Sequence, residues 1–187
     1  AEVDNKAGIA TVAGGSSRGL NRGARFLVEN VKEALIPGEW HLDRHTGVLT
    51  YLPLPGEKPD NTEIIAPYLN RLLEIKGDVT ARTWVEGISF RGITFAHGNW
   101  TTPPGGSCIP QAQSTMPAAV NAEGARNCAF DHCRFKLMGC YCLELGVGCK
   151  HNLIEGCEFT DIGGGGVKIG QTRTEDEEVI PSHNTVR

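Results

Sequence analysis

Four residues, Glu74, Asn121, Glu144 and Lys168, each sit in the middle of an apolar triplet: Leu73-Glu74-Ile75, Val120-Asn121-Ala122, Leu143-Glu144-Leu145 and Val167-Lys168-Ile169. In a strand the outer two residues of such a triplet face one way and the middle one the other. If the four strands stack, the middle residues form one polar row on an outer face, which suits an extended sugar polymer. The alternative is an ordinary solvated strand face. A second candidate is Asp161 in the run FTDIGGGG, after a strand and before four glycines that would let a ligand approach the backbone. Its alternative is a turn cap. Cleaving a glycosidic bond takes two carboxyl groups, about 5–5.5 Å apart for retention of configuration and about 6.5–9.5 Å for inversion. Strands on neighbouring or next-neighbouring coils supply such separations. Asp161 is the first choice for the acid, with Glu144 or a residue beyond Arg187 as its partner.

The register that produces the polar row also stacks Asp161 with Leu137 and His97, placing His97 two strand steps, about 10 Å, from Asp161. A substrate could span both. Trp100, in the loop His97-Gly98-Asn99-Trp100, and Tyr141 offer rings for stacking on sugars, with core packing as the default for each. Asn99-Trp100-Thr101 fits the N-glycosylation pattern, relevant only in a eukaryotic secretory route. Asp131 and His132 are adjacent in a predicted strand, so their side chains are expected on opposite faces and unable to form a local pair.

These positions follow from internal repetition. Residues 128–146 (CAFDHCRFKLMGCYCLELG) lie over residues 152–170 (NLIEGCEFTDIGGGGVKIG) at a constant offset of 24. Phe130 then meets Ile154, Cys133 meets Cys157, Phe135 meets Phe159, Leu143 meets Val167 and Leu145 meets Ile169. The earlier run ISFRGITF matches residues 128–135 from 40 residues upstream, with the surplus in a loop within 96–117. His183-Asn184-Thr185-Val186 echoes His151-Asn152-Leu153-Ile154 at an offset of 32, with the surplus in the acidic stretch 172–181. Short apolar alternations divided by glycine and polar residues read as strands and tight turns. The prediction is an all-β fold, a right-handed parallel β-helix of stacked three-strand coils. One coil cannot bury its own apolar face, so stability comes from its neighbours. Because the chain stops just as a coil begins, the natural protein is expected to continue beyond Arg187.

Residues 1–24 are rich in Gly, Ser and Asn and read as loop. Residues 25–36 carry Phe26, Leu27, Val31, Ala34 and Leu35 at spacings that suit a short amphipathic helix, ended by Pro37-Gly38. Trp40-His41-Leu42-Asp43 and Val48-Leu49-Thr50-Tyr51 flank Arg44-His45-Thr46-Gly47 as a hairpin, with Trp40 expected to pack it on the coils. The domain plan is therefore a loop over 1–24, a helix and hairpin appendage over 25–62, and coils over 63–187. The formal charge of -4 argues against nucleic acid as a partner. No run of 18 apolar residues suggests a membrane span, and no export signal is present at residue 1. All seven cysteines lie between Cys108 and Cys157 without CxxC spacing, and most read as buried thiols.

Residues 25–57, RFLVENVKEALIPGEWHLDRHTGVLTYLPLPGE, resemble the segment that precedes the coils in bacterial right-handed β-helix proteins, among them glycoside hydrolases resembling family 141. FDHCRF, GCEFTDIGGGGVKIG and HNTV resemble the same group, so the likeness covers most of residues 25–187. The resemblance implies acidic catalytic residues on the outer face of the coils, and a secreted or periplasmic bacterial protein acting on a plant or host glycan. The expected partner is an oligo- or polysaccharide, with no cofactor and no metal. Catalytic expectations fall on Asp161 and Glu144, and substrate-binding expectations on His97, Trp100, Asn121, Lys168 and Glu74. Two other outcomes stand open. A lyase would need clustered carboxylates holding a cation, or a Lys or Arg base, for which Lys168 is the candidate. A carbohydrate-binding or purely structural solenoid would retain glycan without turnover.

Overall fold

The computed structural model describes residues 2–4, 6–11, 23, 25, 29–103, 111–170 and 176–187. It divides into two units, one of Ala1–Ser17 with Ala66–Arg187 and the other of Arg18–Ile65. Cys108 and residues 172–175 of the acidic stretch lie outside the described residues.

The expected loop at the N-terminus contains a small hairpin, β1 (Glu2–Asp4) and β2 (Ile9–Thr11), paired antiparallel. The Asp4 carboxylate accepts from the Lys6 and Ala7 amides at 2.9 and 3.0 Å, which closes the turn. In the smaller unit, β3 (Trp40–Leu42) and β4 (Leu49–Tyr51) form the predicted hairpin with Leu42 opposite Leu49. Gly47, at φ 74°, turns the chain there, and Asp43 accepts from the His45 and Thr46 amides. Trp40 itself is 60% exposed. The helix expected over residues 25–36 is, among the described residues, one 3-10 turn at Lys32–Ala34. Asn30 at φ 59° and extended backbone at Val31 and Leu35 stop it at both ends. So short a turn buries no apolar residue that could stabilise a longer helix.

The larger unit is nearly all β. Its strands follow in chain order as β5 (Leu73–Lys76), β6 (Val85–Glu86), β7 (Ser89–Arg91), β8 (Thr94–Ala96), β9 (Ala118–Glu123), β10 (Ala125–Arg126), β11 (Ala129–Asp131), β12 (Arg134–Met138), β13 (Tyr141–Leu145), β14 (Leu153–Glu155), β15 (Glu158–Ile162), β16 (Val167–Ile169) and β17 (Thr185–Val186). They form parallel sheets in the orders β5-β9-β13-β16, β7-β11-β14-β17 and β8-β12-β15, with β6 beside β10. The chain thus visits the sheets in a fixed rotation. Four of the five predicted matches recur as strand pairings, Phe130 with Ile154, Phe135 with Phe159, Leu143 with Val167 and Leu145 with Ile169, while Cys133 and Cys157 stand one residue before β12 and β15. Phe90 lies opposite Phe130, and Val186 opposite Ile154.

Corners between the sheets carry left-handed residues at repeating positions. One row is Asn127, His151 and His183, and another is Gly92, His132 and Gly156. The interior is filled by like on like: Phe90 on Phe130, Phe95 on Phe135 and Phe135 on Phe159 stack with ring centroids 4.9 to 5.0 Å apart. That spacing is the hydrogen-bonding step between strands, about 4.7–4.9 Å. Ile88 and Ile93 are 40 and 41% exposed, whereas their matches Cys128 and Cys133 are buried. The isoleucines belong to the turns of β7 and β8, which are edge strands and lack a neighbour on one side.

Candidate functional site

The polar row predicted from the apolar triplets exists. Glu74 pairs with Asn121, Asn121 with Glu144 and Glu144 with Lys168 across β5, β9, β13 and β16. Asn121, Glu144 and Lys168 line a cleft of about 600 Å³ together with Arg71, Glu123 and the segment Ser114, Thr115, Met116 and Pro117. Glu74 joins through Arg71, whose guanidinium lies 2.9 Å from its carboxylate. The loop over the row changes its character. Instead of a solvated face, Asn121 is only 6% exposed and the Glu144 and Lys168 side chains 17 and 16%. The Asn121 side chain, an amide able both to donate and to accept, lines the cleft beside Glu144.

Lys168 is tied on every side. Its ammonium lies 3.0 Å from Glu144 Oε2 and donates to the carbonyls of Ser114 at 3.2 Å and Met116 at 2.8 Å. It also lies 5.2 Å from the centre of the Tyr141 ring. Three acceptors account for the three N–H bonds of an ammonium.

Asp161, His97 and Trp100 are not among the residues lining this cleft. Asp161 is exposed at φ 49°, stacked with Leu137 at 55° and His97 at 61° as the register requires. His97 is half-buried, and its amide continues the ladder to the Lys136 carbonyl. Trp100 packs against the buried core. Asn99 is held by Leu69 through its amide and by Asn70 through its side chain. The four glycines after Asp161 are not open to a ligand. A Cβ at Gly165 would meet the Tyr141 ring at 2.2 Å, one at Gly164 would meet Met116 Sδ at 2.9 Å, and one at Gly163 would meet the Gly139 carbonyl at 2.7 Å. The glycines admit the chain's own packing. Tyr141, 8% exposed and donating to the Ala112 carbonyl, is part of it rather than a surface ring.

Asp131 and His132 depart from the expectation of opposite faces. Strand β11 ends at Asp131, and His132 turns to φ 50°, which swings its ring back so that Nδ1 bonds the Asp131 carboxylate. Alternation holds only inside a strand, and the corner begins one residue earlier than the periodicity suggested.

Reading the triplets missed Arg71 and Glu123. Glu123 stands two residues beyond Asn121, hence on the same face of β9, and that spacing was legible. Nothing in the sequence marks Ser114 and Thr115 as a cleft wall, because a loop has no period. Of the thiols, burial pushes Cys142 up to about 12 and Cys149 up to about 11. Five of the six described cysteines are buried, and all six are unpaired, which suits packing rather than nucleophilic chemistry. Among the described residues no group of three or more His, Cys, Asp or Glu is placed to hold a metal ion. No described helix is long and apolar enough to cross a membrane.

The sequence matches no known family's profile and no curated protein. A solved structure named "Glycoside hydrolase" superimposes with a TM-score of 0.72 at 24% identity, over 84% of this chain. The chain spans 33% of that protein's length. At this identity the likeness is one of fold: the chain has an all-β, parallel-sheet fold shared with a protein named as a glycoside hydrolase.

Proposed function

We propose that residues 63–187 form a right-handed parallel β-helix whose cleft binds an oligo- or polysaccharide, and that the protein is a glycoside hydrolase acting on a plant or host glycan. The carrying observation is the cleft itself, where a carboxylate (Glu144), an amide (Asn121) and a second carboxylate (Glu123) line about 600 Å³ beside the hydroxyl residues Ser114 and Thr115. Such donors and acceptors suit sugar hydroxyls. The fixed rotation of the chain through parallel sheets, and the fold shared with a protein named "Glycoside hydrolase", support the β-helix reading.

Of the two carboxyl groups singled out in the sequence, Glu144 is favoured as acid or base by its place in the cleft. Asp161 is favoured by exposure alone, and its left-handed backbone is shared by Leu137 and His97, so that conformation belongs to the corner. The lyase alternative loses its candidate base, because all three N–H bonds of Lys168 are engaged by acceptors. Location outside a bacterial cytoplasm accords with a polymeric glycan, and burial shields most of the thiols from an oxidising medium.

The test is release of reducing sugar from a panel of plant and host glycans by the wild type, Glu144→Gln and Asp161→Asn. Turnover that falls by about 10²-fold or more in Glu144→Gln and stays within a few-fold in Asp161→Asn is expected. The reverse pattern moves the acid to the corner. Glycan retention without turnover by the wild type would leave a binding module, and unsaturated products would restore the lyase.

A further inference from the structure

Lys168 is the cation at the end of the polar row, the place where an anionic sugar would be met. Its surroundings point elsewhere. The ammonium converges on three oxygens of the chain itself, Glu144 Oε2 from the sheet and the Ser114 and Met116 carbonyls from the loop. The same loop is tied a second time, by the Tyr141 hydroxyl donating to the Ala112 carbonyl. Between these ties run two consecutive non-glycine residues in the left-handed region, Ala112 at φ 56° and Gln113 at φ 51°. Such conformations persist only where the surrounding structure imposes them. The loop's internal bond, from the Met116 amide to the Gln113 carbonyl at 2.9 Å, closes the turn between them.

We propose that Lys168 is a positioning residue, clasping the Ser114–Met116 wall to Glu144 so that wall and carboxylate face one ligand, rather than a contact for the ligand's charge. The inference deepens the glycan-binding reading and rests on it for the ligand, whereas the clasp itself is independent of that reading. Geometry makes the role specific to lysine. A tetrahedral ammonium serves three converging acceptors, and a planar guanidinium does not.

Hydrogen exchange on the full chain reads the clasp, and titration with an uncharged oligosaccharide set and with oligogalacturonate reads its consequence. In Lys168→Met and in Lys168→Arg the Met116 amide is expected to exchange faster by at least about tenfold, the equivalent of one lost charged hydrogen bond. The Leu143 amide, in the adjoining strand, reports whether the fold survives. Both variants should lose affinity for charged and uncharged sugars by the same factor. An unchanged Met116 rate in Lys168→Arg with intact Leu143 protection overturns the clasp. So does a loss in Lys168→Met that is confined to oligogalacturonate and restored in Lys168→Arg, since that is the signature of a charge contact. If no sugar binds the wild type, the glycan reading fails while the exchange rates still decide the clasp.

Discussion

The Asp131 carboxylate is bonded by the His132 ring and by Arg91, whose Nε lies 2.6 Å away. The His132 bond foremost, with the Arg91 charge behind it, holds this carboxyl below its ordinary value of 3.8. A carboxyl depressed in the folded state adds stability above its unfolded value and loses it as the pH falls through the folded one. The melting temperature of the wild type should therefore exceed that of Asp131→Asn above about pH 4, and the gap should close in stronger acid. Thermal melts across that range check it, and a gap that persists at the acid end would put the effect in packing rather than charge. Glu144 belongs to the same scale but to a different role. Its partner, Lys168, is bound to the loop as well, so the pair is part of a wall and not an isolated surface bridge of small value.

At the level of elements, the corners matter more than the strands. Asn152, 1% exposed, has its side-chain oxygen accepting from the Cys128 amide at 2.9 Å, while its amide donates to the Ala125 carbonyl and to Asn184 Oδ1. Asn184 repeats the pattern one strand on, donating to the Cys149 carbonyl. These side chains satisfy backbone groups that the bend takes out of the sheet ladders. Replacing Asn152 by Ala strands the buried Cys128 amide, while the Ala125 carbonyl keeps the Lys150 amide and Asn184 Oδ1 keeps the backbone amide of residue 152, and should cost about 1–3 kcal/mol. Asn184→Ala should cost less, since Asn184 is half-buried at the last paired strand. Denaturant unfolding measures both, and equal small losses would mean that water replaces the ladder.

For the whole molecule, the proposed stack makes stability a matter of neighbours. Strands β9, β11, β12, β13 and β14 are paired on both sides, whereas β5, β6, β7, β8, β10, β15, β16 and β17 are paired on one. Phe135, fully buried between Phe95 and Phe159, marks the middle of the column. In a one-dimensional array the ends open first. Amides of β12 and β13 should therefore exchange more slowly than those of β17 and β5, with a gradient along each sheet. Uniform protection would instead indicate a single cooperative unit.

The 24-residue repeat determined the pairing of Glu144 with Lys168, and the apolar triplets extended the polar row to Asn121 and Glu74, because parallel stacking in register turns sequence offset directly into spatial neighbourhood. It also placed Asp161 over Leu137, and the copy 40 residues upstream placed Leu137 over His97. Tertiary structure alone decided what the row faces. The loop carrying Ser114 to Pro117 has no period to read, yet it covers the row, engages Lys168 and turns a strand face into a cleft. It decided as well that the glycine run receives Tyr141 and Met116, and that His132 folds back on Asp131. Those outcomes depend on backbone dihedrals at corners and on contacts between residues far apart in the chain, and neither is encoded in the alternation of apolar and polar residues.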